Sequence, residues 1–298
     1  MKKFVFGAVV ALLIAAMLPA QAARRRASHV VLIAIDGWGA YSVPKARIPH
    51  IRSVMERGCY TLHDRSVLPS ASAINWASMF MGVGTELHGY TTWGSRTPEI
   101  PSRVVNAHGI MPTIFSVLRE QEPEADVACL YEWEGIKYLV DTLALTYHAQ
   151  AGGGGEDELC RMAVSYITGH RPRLLAVCFD QLDHTGHAEG HDTPAYYAKL
   201  EQLDAYIGRI LDAIRRAGMW DDTVVILTAD HGGTGKGHGG ITLAEMEIPF
   251  IIAGKGIRRG GEFEESMMQY DLAATIAHIF GLKVPQVWTG RPPLHVFK

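Results

Sequence analysis

Three side chains able to grip a cation stand close together in Asp230-His231-Gly-Gly-Thr-Gly-Lys-Gly-His238. One carboxylate and two imidazoles form a donor set for borderline divalent ions such as Zn²⁺. The six glycines from Gly232 to Gly240 let the backbone fold tightly around what is held. A second group lies upstream, in Asp180-Gln-Leu-Asp183-His184-Thr-Gly186-His187-Ala-Glu-Gly-His191-Asp192. Asp183 and His187 are spaced i, i+4, Gly186 permits a turn between them, and histidines buried together without a ligand would be costly. The pair reads as metal ligands, leaving His184 and His191 to bind substrate or to orient a ligand from behind. The alternative for both stretches is a solvated, Gly-rich loop.

Each group follows an apolar run that reads as a strand buried on both faces: Leu174 to Phe179 before Asp180, and Thr223 to Leu227 before Asp230. A third such run, Ser28 to Ile35, delivers Asp36-Gly37, where an acid is a ligand or the cap of a turn. Open α/β sheets bind ligands at the carboxyl ends of their strands, because a fixed strand aims the side chains that leave its end. Leu68-Pro69-Ser70-Ala71-Ser72 precedes the helix-forming stretch Ala73 to Met81, which stops at Gly82. Ser70 or Ser72 therefore sits at a helix N-terminus, where unpaired N–H groups and the helix dipole favour an alkoxide or a bound anion. A serine nucleophile needs a base or metal beside it, and a plain serine cap is the alternative.

The remaining elements supply scaffold. Helices are expected over Ile48 to Gly58, from Pro112 to Glu120, over Glu156 to Gly169, from Pro194 to Arg216 behind a Thr193 cap, and over Tyr270 to Phe280. Further strands are expected over Cys59 to Val67, Ala125 to Tyr131, and Glu247 to Ala253, where Pro249 marks an edge or a bulge. The stretch Gly82 to Arg103 reads as a loop whose His88, Tyr90 and Trp93 wall a pocket. Alternating strand and helix predict an α/β fold: a central, mainly parallel mixed sheet sandwiched between helices, with the metal site at its carboxyl edge.

Lys2 and Lys3, the apolar run Phe4 to Leu18, and Ala20-Gln21-Ala22 follow the pattern of an export signal cleaved after Ala22. Residues 23–298 are then expected to form a single domain, periplasmic or secreted. Arg24 to Arg26 just behind the cut favours the competing reading of a retained anchor, the only case that implies a membrane partner. A formal net charge of -3 argues against a nucleic-acid-binding surface. Four widely spaced cysteines exclude a compact zinc ribbon and leave one disulfide open, although Cys129 and Cys178 read as small buried apolar residues.

Four pieces, Ile35-Asp36-Gly37, Pro69-Ser70-Ala71-Ser72 with Asn75, Asp183-xxx-His187, and Asp230-His231 with His238, follow one another in the order of a known pattern. Together they resemble the alkaline phosphatase superfamily, most closely its nucleotide pyrophosphatase/phosphodiesterase-like branch. The resemblance implies an alkaline phosphatase-like fold and two divalent metal ions, Zn²⁺ by type. Asp183, His187 and His238 would hold one, and Asp36, Ser72, Asp230 and His231 the other. It further implies that Ser72 is the nucleophile, with Ser70 the nearby alternative, and that the substrate is a small-molecule phosphoric ester.

Two departures shape the substrate reading. Sulfatases of the superfamily carry Cys/Ser-x-Pro-x-Arg, and Ser70-Ala-Ser-Ala-Ile lacks both Pro and Arg. Phosphodiesterases of the branch place an Asn after a His-Gly turn, and His88-Gly89-Tyr-Thr-Thr-Trp93 has none. The leading expectation is a hydrolase of the phosphodiesterase type. A phosphomonoesterase, sulfatase or phosphotransferase of the same superfamily is the near alternative, and a non-enzymatic metal-binding protein the distant one.

Overall fold

A computed structural model of the chain describes residues 27–153 and 155–298; the expected signal over residues 1–22 and the arginine triplet lie outside the described residues. The first half contains β1 (His29–Ile35), α1 (Pro49–Met55), β2 (Gly58–Arg65), α2 (Ser72–Met81), α3 (Thr85–His88), α4 (Ile114–Gln121), β3 (Val127–Tyr131) and β4 (Tyr147–Gln150). The second half contains α5 (Gly155–His170), β5 (Leu174–Phe179), α6 (Gln181–Glu189), α7 (Pro194–Arg216), β6 (Thr223–Ala229), α8 (Leu243–Met246), β7 (Glu247–Gly254), β8 (Gly261–Glu262) and α9 (Asp271–Phe280).

The strands form an eight-stranded sheet in the order β4-β3-β5-β1-β6-β7-β2-β8. All neighbours are parallel except β7, which runs against both β6 and β2. β1 shows why helices must cover both faces. Val30, Leu32 and Ala34 pack on one side with Trp76, Phe80, Phe115 and Ile276 from α2, α4 and α9. Val31, Ile33 and Ile35 pack on the other with Leu159, Leu203 and Ile207 from α5 and α7. Each enclosed Leu or Ile contributes about 1.5–3 kcal/mol relative to exposure. The expected sandwich is the only arrangement that leaves neither face wet.

The longest described helix, α7, forms as its sequence dictates. Thr193 Oγ1 accepts the Tyr196 N–H, Pro194 occupies the first turn, and Leu200, Leu203, Ile207, Ile210, Leu211 and Ile214 are buried along one stripe. No described helix is long and apolar enough to cross a membrane.

Several local expectations change. α4 starts at Ile114 instead of Pro112, because Thr113 and Ser116 exchange side-chain and backbone hydrogen bonds and so fix the first turn. β2 stops at Arg65, short of Val67, since the Ser66 N–H turns to Met246 O and the Val67 N–H to Asn75 Oδ1. Pro249 marks a bulge and not an edge: β7 lies between β6 and β2, and the β2 register shifts between Thr61 and Asp64, opposite the proline that cannot donate. The edge strand β4 is mostly exposed, so it carries no apolar pattern to read. All four cysteines are buried and free.

Candidate functional site

The sheet register brings the acids together. Ile35 pairs with Phe179 on one side and with Ala229 on the other. The next residues, Asp36, Asp180 and Asp230, therefore leave three adjacent strands at the same level of the carboxyl rim. Beyond β5 the chain turns directly into α6, a helix where the sequence suggested only a turn. There the i, i+4 spacing puts Asp183 and His187 on one face, with His187 Nε2 3.1 Å from Asp183 Oδ2. Gly37 has φ +69°, and a Cβ on it would stand 2.7 Å from Asp183 Oδ1, so only glycine lets β1 and α6 approach this closely.

Ser72 arrives from the opposite layer. Asn75, enclosed in the first turn of α2, donates to the carbonyls of Val67, Pro69 and Ala71 and shapes the loop that ends in the serine. Ser72 Oγ then lies 3.1 Å from His231 Nε2. The same nitrogen is 3.4 Å from Asp36 Oδ1 and 3.2 Å from Asp230 Oδ2. The His238 ring stacks on His231 with centroids 3.8 Å apart, and its Nε2 is 3.9 Å from Asp183 Oδ2.

Among the described residues two groups form, the ligand atoms of each lying within 4.8 Å of one another: Asp36, Asp230 and His231, and Asp183, His231 and His238. His231 belongs to both. His187, placed by sequence with Asp183 and His238, stands half-exposed at the rim of the second group, its ring 5.0 Å from that of His238.

Three of the histidines are oriented alike. Nδ1 of His187 faces Lys236 O, that of His231 faces Gly232 O, and that of His238 faces Ser70 O. A ring whose Nδ1–H donates to a carbonyl leaves the Nε2 lone pair free, and all three Nε2 atoms point at the carboxylates. Burial lowers the pKa of His231, and burial together with His231 brings that of His238 down to about 4, so both stay neutral. A neutral Nε2 beside a carboxylate oxygen sets lone pair against lone pair unless a cation, or a proton on the carboxyl, lies between them.

The carboxylates carry the same message. Asp36 Oδ1, Asp183 Oδ1 and Asp230 Oδ2 are buried without a hydrogen-bond partner. Burial, then the charges of Asp230 and Asp183, raise the Asp36 carboxyl well above the ordinary range. Burial pushes Asp230 up to about 8, although Oδ1 accepts the N–H groups of Gly37 and His231. For Asp183 burial acts upward too, but the His191 contact and the surrounding imidazoles outweigh it and hold the carboxyl low. Orphaned oxygens facing neutral imidazoles fit divalent cations.

Other candidates have different posts. Ser70 Oγ donates to Gly240 O and accepts the Gly239 N–H, tying down the loop that carries His238. His88 and Tyr90 do not wall a pocket: both are buried, and His88 Nε2 meets Ser78 Oγ while its Nδ1 accepts the Tyr90 N–H. Of that trio only Trp93 is exposed. His184 turns away from the cluster to pair with Asp180 at 2.8 Å. His191 is buried with Nε2 3.5 Å from Asp183 Oδ1, and a Cβ on Gly186 would collide with its ring. Sequence reasoning missed Trp76, whose indole N–H donates to Asp36 Oδ2, and Tyr196, whose hydroxyl donates to Gly37 O. Their aromatic types at helix positions read as core, and only the tertiary contact shows the polar end at work.

A helix-covered mixed sheet with this cluster at its carboxyl rim defines an alkaline phosphatase-like fold. The chain belongs to the type I phosphodiesterase / nucleotide pyrophosphatase family, whose profile matches residues 30–245. Among curated proteins it is similar to the 2,3-bisphosphoglycerate-independent phosphoglycerate mutase of Shewanella sp. (strain ANA-3), 34% identical over 147 residues, 47% of this chain and 26% of that one. It is also similar to the choline-sulfatase of Rhizobium meliloti (strain 1021), 28% identical over 129 residues, 40% of this chain and 25% of the relative. These matches thus span about a quarter of the relatives' length. Among solved structures, inactive murine ectonucleotide pyrophosphatase/phosphodiesterase 5 in complex with AMP superposes with a TM-score of 0.73 at 16% identity, covering 90% of this chain and 98% of that one. A sulfatase described as putative, from Bacteroides thetaiotaomicron VPI-5482, gives 0.70 at 15% identity, covering 89% and 73%.

Proposed function

We propose that this chain is an exported, two-metal hydrolase of phosphoric esters, of the phosphodiesterase type, that works through a covalent phosphoserine at Ser72. The observation that carries the reading is the position of Ser72 Oγ, at the first turn of α2 and 3.1 Å from the His231 nitrogen that two buried carboxylates also face. Asp36, Asp230 and His231, with Ser72, would hold one cation, and Asp183, His187 and His238 the other; the donor set favours Zn²⁺. Bound there, the cations supply positive charge that draws in the phosphoryl group and favours the ionised serine.

The protein's own groups do the rest. The α2 dipole points its positive end at Ser72 and favours negative oxygen there. Asn75 and the Ala71 turn fix the direction of Oγ. Oγ forms a bond to phosphorus as the bond to the leaving alcohol breaks, and that alcohol departs with the serine proton. Water then attacks the phosphorus of this intermediate, which still carries the second ester group; the bond to Oγ breaks, Oγ regains a proton, and the phosphate monoester leaves. Trp76 holds Asp36, and Ser70 holds the His238 loop, throughout.

Ser72→Ala is expected to abolish turnover of aryl phosphodiesters while zinc content stays near normal, and acid quenching of the wild type should trap the phosphoryl group, still bearing its second ester, on Ser72. Turnover retained by the Ser72→Ala protein overturns the assignment. Transfer to an acceptor alcohol is the second reading, favoured by the relative named as a phosphoglycerate mutase. Product analysis with and without added glycerol separates it from hydrolysis. Sequencing the N-terminus of the exported form tests cleavage after Ala22.

A further inference from the structure

At the carboxyl ends of β3, β4 and β5, on the same rim of the sheet as the candidate ligands, lies an open cavity of about 680 Å³. Its wall holds three acids, Glu132, Glu134 and Asp180, with the Trp133 indole and His184, and no lysine or arginine lines it among the described residues. Two of the acids already have partners. Glu134 is paired with Lys137 and Arg96, and Asp180 with His184. Glu132 is different. It is 8% exposed, its Oε2 accepts the Asp180 N–H at 2.7 Å, and its Oε1 is buried with no hydrogen-bond partner. That oxygen lies 3.6 Å from where a Cβ on Gly155 would stand, and Gly155 lines the same cavity. Burial, the largest influence, pushes the carboxyl up to about 7 against the downward pull of the Asp180 N–H and the Gln181 side chain. The site shares Asp180 with the catalytic rim, three residues before Asp183 and close enough for its charge to act on Asp36.

We infer that this cavity is a substrate subsite for an ammonium group, in which Glu132 Oε1 meets the positive charge and Trp133 offers the aromatic surface that such groups favour. A carboxylate facing a cation in a partly closed site forms a charge-assisted contact, and an indole adds a cation–π attraction. The substrate is then a phosphoric ester whose alcohol carries an amine or a quaternary ammonium. The inference deepens the hydrolase reading and rests on it for the ester, although the ammonium contact can be tested without turnover.

Three aryl phosphodiesters distinguish the possibilities: one with a quaternary aminoethyl group, one with a primary aminoethyl group, and an uncharged isostere in which carbon replaces nitrogen. The wild type is expected to prefer at least one charged ester by about tenfold or more in kcat/KM. The ratio between the two charged esters identifies a quaternary or primary ammonium. Glu132→Gln should erase the preference while leaving the uncharged ester unchanged. Choline and ethanolamine, titrated alone into wild type and Glu132→Gln by calorimetry, read the contact independently of chemistry. If one of them binds the wild type but not the variant, and no ester turns over, the subsite stands and the hydrolase reading fails. If esters turn over without preference for charge and neither amine binds, the subsite fails and the hydrolase reading stands. An equal loss on charged and uncharged esters in a folded Glu132→Gln protein also overturns it, and wild-type selectivity is measurable even if the variant does not fold.

Discussion

Replacing Asp230 by Asn should stabilise the metal-free protein and disable the metal-loaded one. Asp230 is fully enclosed; Oδ1 accepts two backbone N–H groups, and Oδ2 has no partner. An Asn side chain can keep the first pair of bonds and removes the buried charge. The folded-state pKa of Asp230 is raised from 3.8 to about 8 by burial, so the stability this group contributes is fully present below its unfolded pKa and is lost as pH rises through the folded one. At pH 7 that loss is on the order of 4 kcal/mol. Relief of it corresponds to a rise in Tm of about 5–10 °C for a chain of this size. The assay is thermal unfolding of chelated wild type and Asp230→Asn between pH 4 and pH 8, repeated with zinc. The gain should vanish near pH 4 and grow toward pH 8. With zinc at a hundredfold excess over Kd the wild type should gain about 2.7 kcal/mol, and the variant far less. An Asp230→Asn protein that melts lower than wild type at pH 7 without metal, or that gains as much from zinc, would refute the claim that this carboxylate is kept for a cation at a cost in stability.

Two further substitutions probe the supports. Trp76→Phe removes the N–H that holds Asp36 Oδ2, so zinc affinity or activity, read by competition with a chromophoric chelator and by initial rates, should fall about ten- to a hundredfold with the fold intact. Leu203→Ala, in the buried stripe of α7, should cost about 2–5 kcal/mol in urea unfolding and leave kcat of the folded protein unchanged, because it touches the scaffold and not the rim.

Much of the fold was legible because its strands are enclosed on both faces and its helices on one. Val30 to Ile35, Leu174 to Phe179 and Thr223 to Ala229 have no polar alternative to a central strand, and the α7 stripe with its Thr193 cap has no alternative to a surface helix. Less was legible where local hydrogen bonds decide. The start of α4, the end of β2 and the exposed strand β4 depend on Ser116, Asn75 and edge pairing, which leave no hydrophobic pattern.

The sequence by itself determined which groups could do chemistry: carboxylates and imidazoles placed just past apolar runs, and a serine at the start of a helix. Tertiary structure alone decided that they meet. The pairing of Ile35 with both Phe179 and Ala229 levels the three strand ends, and α6 turns Asp183 back toward Asp36, so acids more than a hundred residues apart share one cluster. It gave the two serines different surroundings, since Ser72 Oγ faces His231 Nε2 while Ser70 Oγ is spent on backbone. It alone showed that Glu132 is buried with Oε1 outside the hydrogen bond that its Oε2 makes to the Asp180 N–H. The physical reason is the same in each case: composition states what a side chain can bind, whereas register and packing decide which partner stands within about 3 Å of it.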